Sequence, residues 1–325
     1  MRRALRDLVE HPRPRVLVAV SGGPDSLALL AATCFAAPRM GIAVGAVTVD
    51  HGLQSGSVAL ARSVAATAAA LGAEPVTIAH VQLRGGGGLE AAARRARYDA
   101  LERAAHATGA QAVLLAHSRD DQAETVLLGL ARGSGTRSLA GMAPHAGLFR
   151  RPLLAVDRHT VAAAAQVAAT DPGGMAPWDD PHNHDRAFAR VRVRHDVLPA
   201  LEADLGPGVA AALARSADLL RDDADALDAW ADLQIPSLVG TTGDQRSTDV
   251  DAVGLSGLPR AIRTRVLRRA ALAAGAPPSD LNAGHVRALD TLIMGDSAGA
   301  SLDLPGRLRA HRVGGRLHLT RGQPA

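Results

Sequence analysis

The sequence predicts an α/β protein: a doubly wound parallel sheet, then a helical linker, then a small basic α+β C-terminal domain. Three observations carry this. Short apolar runs alternate with longer helical stretches through the front of the chain. The first of them, Val16 to Val20, passes straight into Ser21-Gly22-Gly23-Pro24-Asp25-Ser26 and a second apolar run, Leu27 to Phe35. Charge is divided unevenly: the net value is +4, yet residues 245–325 carry +6 from twelve Arg and six Asp, leaving −2 on residues 1–244.

Five consecutive apolar residues, Val16 to Val20, form a strand buried on both faces, as a parallel sheet requires. A strand, a glycine turn and a buried helix gather backbone N–H groups and a helix N-terminus around one spot, which favours phosphate. Gly22 and Gly23 remove the Cβ atoms that would block close approach, and Ser21 and Ser26 add hydroxyl donors. Asp25, an acid inside an anion site, makes sense as a Mg²⁺ ligand beside the phosphates. Walker A is excluded, because it needs a lysine and the chain has none. The Gly-x-Gly-x-x-Gly dinucleotide fingerprint is also missing from this turn.

The remaining elements follow in order. Residues 1–14 are a short basic helix and a Pro-punctuated lead-in. Ile42 to Val49 reads as the second strand, ending in Asp50-His51-Gly52, with a helix from about Ser57 to Leu71 behind it. Pro75 to Val81 is the third strand and Gly85 to Gly88 a hinge. Leu89 to Thr108 is a helix carrying Glu90, Arg94, Arg97 and Tyr98. Ala112 to Ala116 is the fourth strand, ending at His117, and a helix runs from about Asp120 to Ala131. Gly133-Ser-Gly-Thr is a mobile loop, and a short strand precedes Arg151-Pro152. Ligands of such sheets sit beyond the strand carboxyl ends, where strand order reverses. The polar clusters Ser21–Ser26, Asp50-His51 and His117–Glu124 all fall at those ends.

Asp171 to Asp185 is too polar for a core, and Ala187 to Leu205 forms a helix with Arg190 and Arg194 on one face. Leu213, Leu220 and Leu227 give the helix 207–233 a heptad stripe, with Asp222, Asp223, Asp225 and Asp228 on a solvated face. Gly240 to Ser247 is the linker, so the domains read as 1–206, 207–244 and 245–325. In the rear, Leu258 to Ala274 is an amphipathic helix with Arg265, Arg268 and Arg269 turned from its apolar side. Another helix runs from about Asp280 to Ile293, and the alternating end forms a small hairpin. A basic rear points to a polyanion.

The single cysteine, Cys34, excludes an internal disulfide, cysteine-rich zinc sites and paired-cysteine sulfur chemistry, and suits the reducing cytoplasm. No apolar run reaches membrane-spanning length, and Met-Arg-Arg-Ala-Leu-Arg lacks the core of a signal peptide.

Ser-Gly-Gly-x-Asp-Ser resembles the PP-loop of the ATP pyrophosphatase superfamily, which splits ATP into AMP and pyrophosphate. Further motifs resemble one branch, the tRNA(Ile)-lysidine synthetases. They are Val49-Asp-His-Gly-Leu, Leu89-Glu-Ala-Ala-Ala-Arg94-Arg-Ala-Arg97-Tyr98, Ala116-His117-Ser-Arg-Asp120-Asp121-Gln122-Ala-Glu124-Thr125 and Arg132-Gly133-Ser134-Gly135. Arg151-Pro152-Leu-Leu and Asp180-Pro-His-Asn183 with Arg190-Val-Arg192-Val-Arg194-His195 complete the set, with Val191 where the family often has Asn. The resemblance implies adenylation of the C2 oxygen of the wobble cytidine, then displacement of AMP by the ε-amine of L-lysine. It implies ATP and Mg²⁺, with tRNA(Ile) bearing a CAU anticodon as partner. Neither DNA nor a membrane is implied, and a homodimer is left open.

Ser21, Gly22, Gly23, Asp25, Ser26, Asp50, His51, Arg132 and Gly133 are then expected to hold ATP and pyrophosphate. Asp25, His117, Asp121 and Glu124 are the expected catalytic set. Asp121 and Glu124 share a helix face and can hold or deprotonate the amine, or else simply complement the helix dipole. Arg94, Arg97, Arg190, Arg194, Arg265, Arg268 and Arg269 are expected to contact tRNA. Two other readings stay open at this point: another PP-loop tRNA-modifying enzyme, and a non-catalytic, nucleotide-gated tRNA-binding protein.

Overall fold

A computed structural model describes residues 1–52, 56–81, 89–170, 173–241, 247–295 and 299–322, except the side chains of Leu89, Glu90, Ala91 and Thr241. The hinge expected at Gly85 to Gly88, and most of the linker expected within Gly240 to Ser247, lie outside the described residues. The chain divides into two compact units, Met1–Arg221 and Asp222–Ala325.

In the first unit a short helix, α1 (Arg2–Leu5), precedes β1 (Arg15–Ala19), α2 (Pro24–Ala36), β2 (Ala43–Asp50), α3 (Ser57–Ala70) and β3 (Val76–His80). Then come α4 (Leu89–Thr108), β4 (Ala112–Leu114), α5 (Arg119–Ala131), α6 (Thr136–Leu139), β5 (His145–Ala146) and β6 (Phe149–Arg150). The strands form one sheet in the order β3-β2-β1-β4-β6-β5, parallel except for the β5–β6 pair. Strand order reverses between β1 and β4, as the doubly wound reading requires.

Alternation along β1 builds a core on each side of this sheet. Val16 and Val18 pack with Leu27 and Leu30 of α2, whereas Leu17 and Ala19 pack with Leu101 and Ala105 of α4. Burial of both faces explains the unbroken apolar run. Next come α7 (Arg158–Thr170), α8 (Ala189–Arg192) and α9 (Leu198–Leu205), the last two joined by a π-helical turn at Val193–Val197. The helix expected from Ala187 to Leu205 therefore exists with a wider turn at its middle.

The long helix α10 (Val209–Leu238) carries a heptad stripe of small residues more buried than the leucines. Ala210, Ala217, Ala224 and Ala231 are 8%, 0%, 0% and 0% exposed. Its beginning belongs to the first unit and its end to the second, so residues 207–244 are not a separate body. Leu227 and Ala231 pack into the core of the second unit.

That unit continues with β7 (Val239–Thr241), β8 (Ser247–Asp251), α11 (Ala252–Ser256), α12 (Arg260–Ala273), α13 (Ala283–Met294), β9 (Ser301–Leu304), β10 (Leu308–Val313) and β11 (Arg316–Arg321). The expected small hairpin is part of a five-stranded antiparallel sheet, β7-β8-β11-β10-β9. Leu308, Ala310, Leu317 and Leu319 face a core shared with Ile262, Val266 and Leu289. The alternate residues Arg309, Arg316 and Thr320 are exposed. Among the described residues no single helix is long and apolar enough to cross a membrane.

Candidate active site

β1 delivers the chain into Ser21-Gly22-Gly23, and α2 starts with Pro24 in its first turn, where a missing N–H costs nothing. Gly22 has φ +87°, and a Cβ there would meet Val64 at 2.9 Å, so both conformation and space demand glycine. The Ser26 hydroxyl donates to the Gly23 carbonyl at 2.9 Å and accepts the Ser21 N–H at 3.1 Å. This corrects the expectation that Ser26 donates to phosphate: its proton is spent on shaping the loop. The Gly22 and Gly23 N–H groups take up no bond among the described residues and remain available to an anion.

A cavity of about 770 Å³ opens beside the loop, bounded by Ser21, Asp50, His51, Arg97 and Trp178 among others. Asp50, at the end of β2, accepts the Gly52 N–H at 2.9 Å and meets His80 at 3.3 Å. The Gly52 bond, aided by Ser57 and His80, holds its carboxyl below the ordinary range despite burial. His51 has a buried Nδ1 without a partner, and burial and Arg97 keep its ring neutral. Arg97, expected on an RNA surface, instead lines this cavity, and no carboxylate pairs with it among the described residues. Arg94 stays exposed, its guanidinium 5.0 Å from the Tyr98 ring centre.

Beyond β4 the chain turns into α5 through a capping box. Ser118 Oγ accepts the Asp121 N–H, and Asp121 Oδ2 accepts the Ser118 N–H at 2.8 Å. The dipole-complementing role is therefore real for Asp121. Asp120 accepts the Arg158 N–H at 2.8 Å and so caps the start of α7. Glu124, one turn after Asp121, has no exposed surface. Three arginines meet it: Arg158 Nη2 at 2.8 Å, Arg190 Nε at 2.9 Å and Arg194 Nε at 2.8 Å. Arg194 also reaches Asp121 Oδ1 at 3.0 Å.

Burial opposes the charge on Glu124, but the Arg194 hydrogen bond and the neighbouring guanidiniums outweigh it and hold the carboxyl below its usual value. For Asp121, burial is likewise outweighed by the Ser118 N–H and the same arginines. This corrects the picture of free carboxylates waiting for an amine. It also turns Arg190 and Arg194 from surface RNA contacts into partners of a buried cluster. Arg158 was missed: the sequence shows only an arginine beginning an alanine-rich helix, and its partners lie on α5, remote in sequence.

Asp25 looks onto this cluster. Burial and the Asp121 carboxylate push it up to about 6, opposed by Arg158 and Arg194. His117 is pushed down to about 3 by burial, and its Nδ1 is buried without a partner. Arg132 and Gly133 lie at the other end of the 13-residue α5, about 20 Å along the axis from the Ser118 cap. Neither residue lines the cavity beside the PP-loop.

In the second unit Arg265 meets Asp228 at 2.9 Å, Arg269 meets Asp232 at 3.1 Å, and Arg268 donates to the Leu281 carbonyl. These arginines tie α12 to α10 and to the α12–α13 connection, where an open RNA surface was expected. Asp228 is correspondingly not part of a solvated face.

A glycine loop with free N–H groups, at the strand-order reversal of a parallel sheet and beside a large cavity, defines a PP-loop nucleotide-binding protein. Residues 1–201 match the PP-loop domain family, and residues 251–318 match the TilS substrate binding domain. The chain is 57% identical over 317 residues to the tRNA(Ile)-lysidine synthase of Thermobifida fusca, covering 98% of this chain and 94% of that one. It is 53% identical to the Streptomyces coelicolor tRNA(Ile)-lysidine synthase, covering 95% and 86%. The chain belongs to the tRNA(Ile)-lysidine synthase family. In fold, the U34-tRNA thiolase NcsA of Methanococcus maripaludis is similar, with a TM-score of 0.51 and 18% identity over 68% of this chain and 78% of that one.

Proposed function

We propose that this enzyme joins L-lysine to C2 of the wobble cytidine in the CAU anticodon of tRNA(Ile), and that it works in the cytoplasm. The C2 oxygen attacks the α-phosphate of ATP and pyrophosphate leaves. The ε-amine of lysine then attacks C2, AMP leaves with that oxygen, and the amine gives up a proton. The observation that carries this reading is the buried pair Asp121 and Glu124 with its three arginines, at the same strand ends as the nucleotide loop and close enough for Asp121, Arg158 and Arg194 to act on the charge of Asp25.

The free Gly22 and Gly23 N–H groups support binding of the phosphates. Asp25 suits Mg²⁺, which is commonly held by one or two carboxylates plus substrate phosphates. Mg²⁺ would supply positive charge against the developing pyrophosphate. His51 lines the cavity with a ring held neutral, which suits a hydrogen bond to substrate. Asp121 is 7% exposed and Glu124 0%, so Asp121 meets the amine and Glu124 acts through the arginines it holds.

The test is incubation with ATP, labelled lysine and tRNA, followed by mass analysis of the nucleosides. Lysine on cytidine, dependent on ATP and accompanied by AMP, is expected. AMP release with no lysine adduct would favour another PP-loop modification, and tRNA binding with no AMP a non-catalytic role.

A further inference from the structure

Trp178 lies in the polar segment between α7 and α8, which the sequence reading left without a role. Its backbone N–H donates to the Gly22 carbonyl at 2.9 Å. The residue itself lines the cavity together with the apolar Leu60, Ala61 and Leu101. A trans peptide sets its C=O and N–H on opposite sides. The bond to Trp178 therefore turns the Gly23 N–H to the other side of the loop, where nothing described takes it up.

We propose that Trp178 is a nucleotide-binding residue of this enzyme: its side chain walls the purine end of the cavity while its backbone fixes the phosphate loop. Leu60 and the Trp178 Cβ border Gly22, 3.5 Å and 3.8 Å from where a Cβ would stand, so the indole starts at the loop. Ala61 and Leu101 add apolar wall to the same cavity. A base needs flat, dry walls, whereas the phosphates need the glycine N–H groups. The inference rests on ATP occupying this cavity and not on lysine transfer.

The chain has two tryptophans, and Trp230, 45% exposed, lies in the other unit. The full-length Trp230→Phe protein thus reports Trp178 emission alone. Titration with ATP and Mg²⁺ should change that emission saturably, with the midpoint that calorimetry gives. An aromatic wall against a base is worth about tenfold in affinity. Trp178→Leu keeps the backbone donor and should weaken ATP binding about tenfold, raising KM for ATP while kcat and KM for lysine hold. Trp178→Phe should restore most of the affinity, which a purely structural role would not require.

Calorimetric ATP binding with silent Trp178 emission, or wild-type affinity in Trp178→Leu, overturns the proposal and leaves the lysidine reading intact. Failure of the Trp230→Phe protein to bind ATP at all would overturn the nucleotide site itself and this proposal with it. Normal emission changes in an enzyme that transfers no lysine would uphold the proposal and count only against the reaction.

Discussion

Arg194 grips Glu124 with two nitrogens, Nε at 2.8 Å from Oε1 and Nη2 at 3.2 Å from Oε2. The Glu124 side chain is fully buried and that of Arg194 is 24% exposed. A buried carboxylate this heavily bonded cannot be replaced without consequences for its partners. Removing one member of a buried ion pair leaves the other charge uncompensated, at a cost of about 3–5 kcal/mol.

Glu124→Gln should therefore lower stability by about 3 kcal/mol as well as activity. Arg158, Arg190 and Arg194 all lose a charged partner in that variant. Urea unfolding checks it: the midpoint should fall with the slope unchanged. A midpoint equal to wild type would mean that Glu124 is freely exchangeable and serves the amine alone.

Asp25 has the opposite character. Its carboxyl, pushed up to about 6 by burial and Asp121, is ionised at pH 7 against its surroundings. Asp25→Asn removes that strained charge and should stabilise the nucleotide-free protein by about 1–2 kcal/mol. The same change should cut AMP formation about 10²- to 10³-fold. Thermal unfolding at pH 7 and tRNA-dependent AMP release measure the two halves. A less stable Asp25→Asn protein with normal AMP release would contradict both.

The parallel sheet and its loop were legible because local sequence carries them. Val16 to Val20 is apolar on both faces, and the glycines of the turn have no other use. Strands β7 and β8 were not legible, because Ser247-Thr-Asp-Val-Asp shows polar residues outward and buries Thr248 and Val250. Such a strand reads as linker until the opposite face is known. The positions of Asp121, Glu124, Arg190 and Arg194 were visible, but not their mutual occupation. The bonds from Arg190 and Arg194 to Glu124 span 66 and 70 residues. Nothing in either local pattern says which acid an arginine will find.

Acid stability follows from His117 and Asp25, with opposite signs. His117 titrates near 3 when folded, against 6.5 as its ordinary value. Between those values the unfolded chain binds more protons, so stability rises with pH through this window and the gain is complete above 6.5. Asp25 titrates at about 6 folded against 3.8, so its contribution falls as pH rises from 3.8 to about 6. The two offset each other in the overlap. In Asp25→Asn the rise should stand out, at up to about 1.4 kcal/mol per pH unit, with neutral His51 adding in the same direction. Adding His117→Asn should leave only the smaller part that His51 contributes. Denaturant midpoints at pH 5 and pH 7 are the measurement, and an unchanged difference in the double variant would show that His117 is not the buried base responsible.

The second unit makes its own prediction about RNA. Arg265 and Arg269 are engaged with Asp228 and Asp232, so Arg265→Ala should cost stability before it costs affinity. The cations left facing outward include Arg309 on β10 and Arg316 on β11, both exposed on the side of the sheet away from its core. Arg309 has a weak exposed partner, Asp303 at 3.8 Å, with side chains 63% and 88% exposed. Such a pair contributes little to stability and yields readily to a phosphate. The double variant Arg309→Ala/Arg316→Ala should fold as wild type and bind ATP normally, yet bind tRNA more weakly. The loss should shrink as salt rises, because each phosphate contact removed lowers the slope of log affinity against log salt by about one. Filter binding at several salt concentrations, with unfolding midpoints beside it, separates the two classes of arginine. Parallel salt lines for wild type and double variant would mean that this sheet face touches no phosphate.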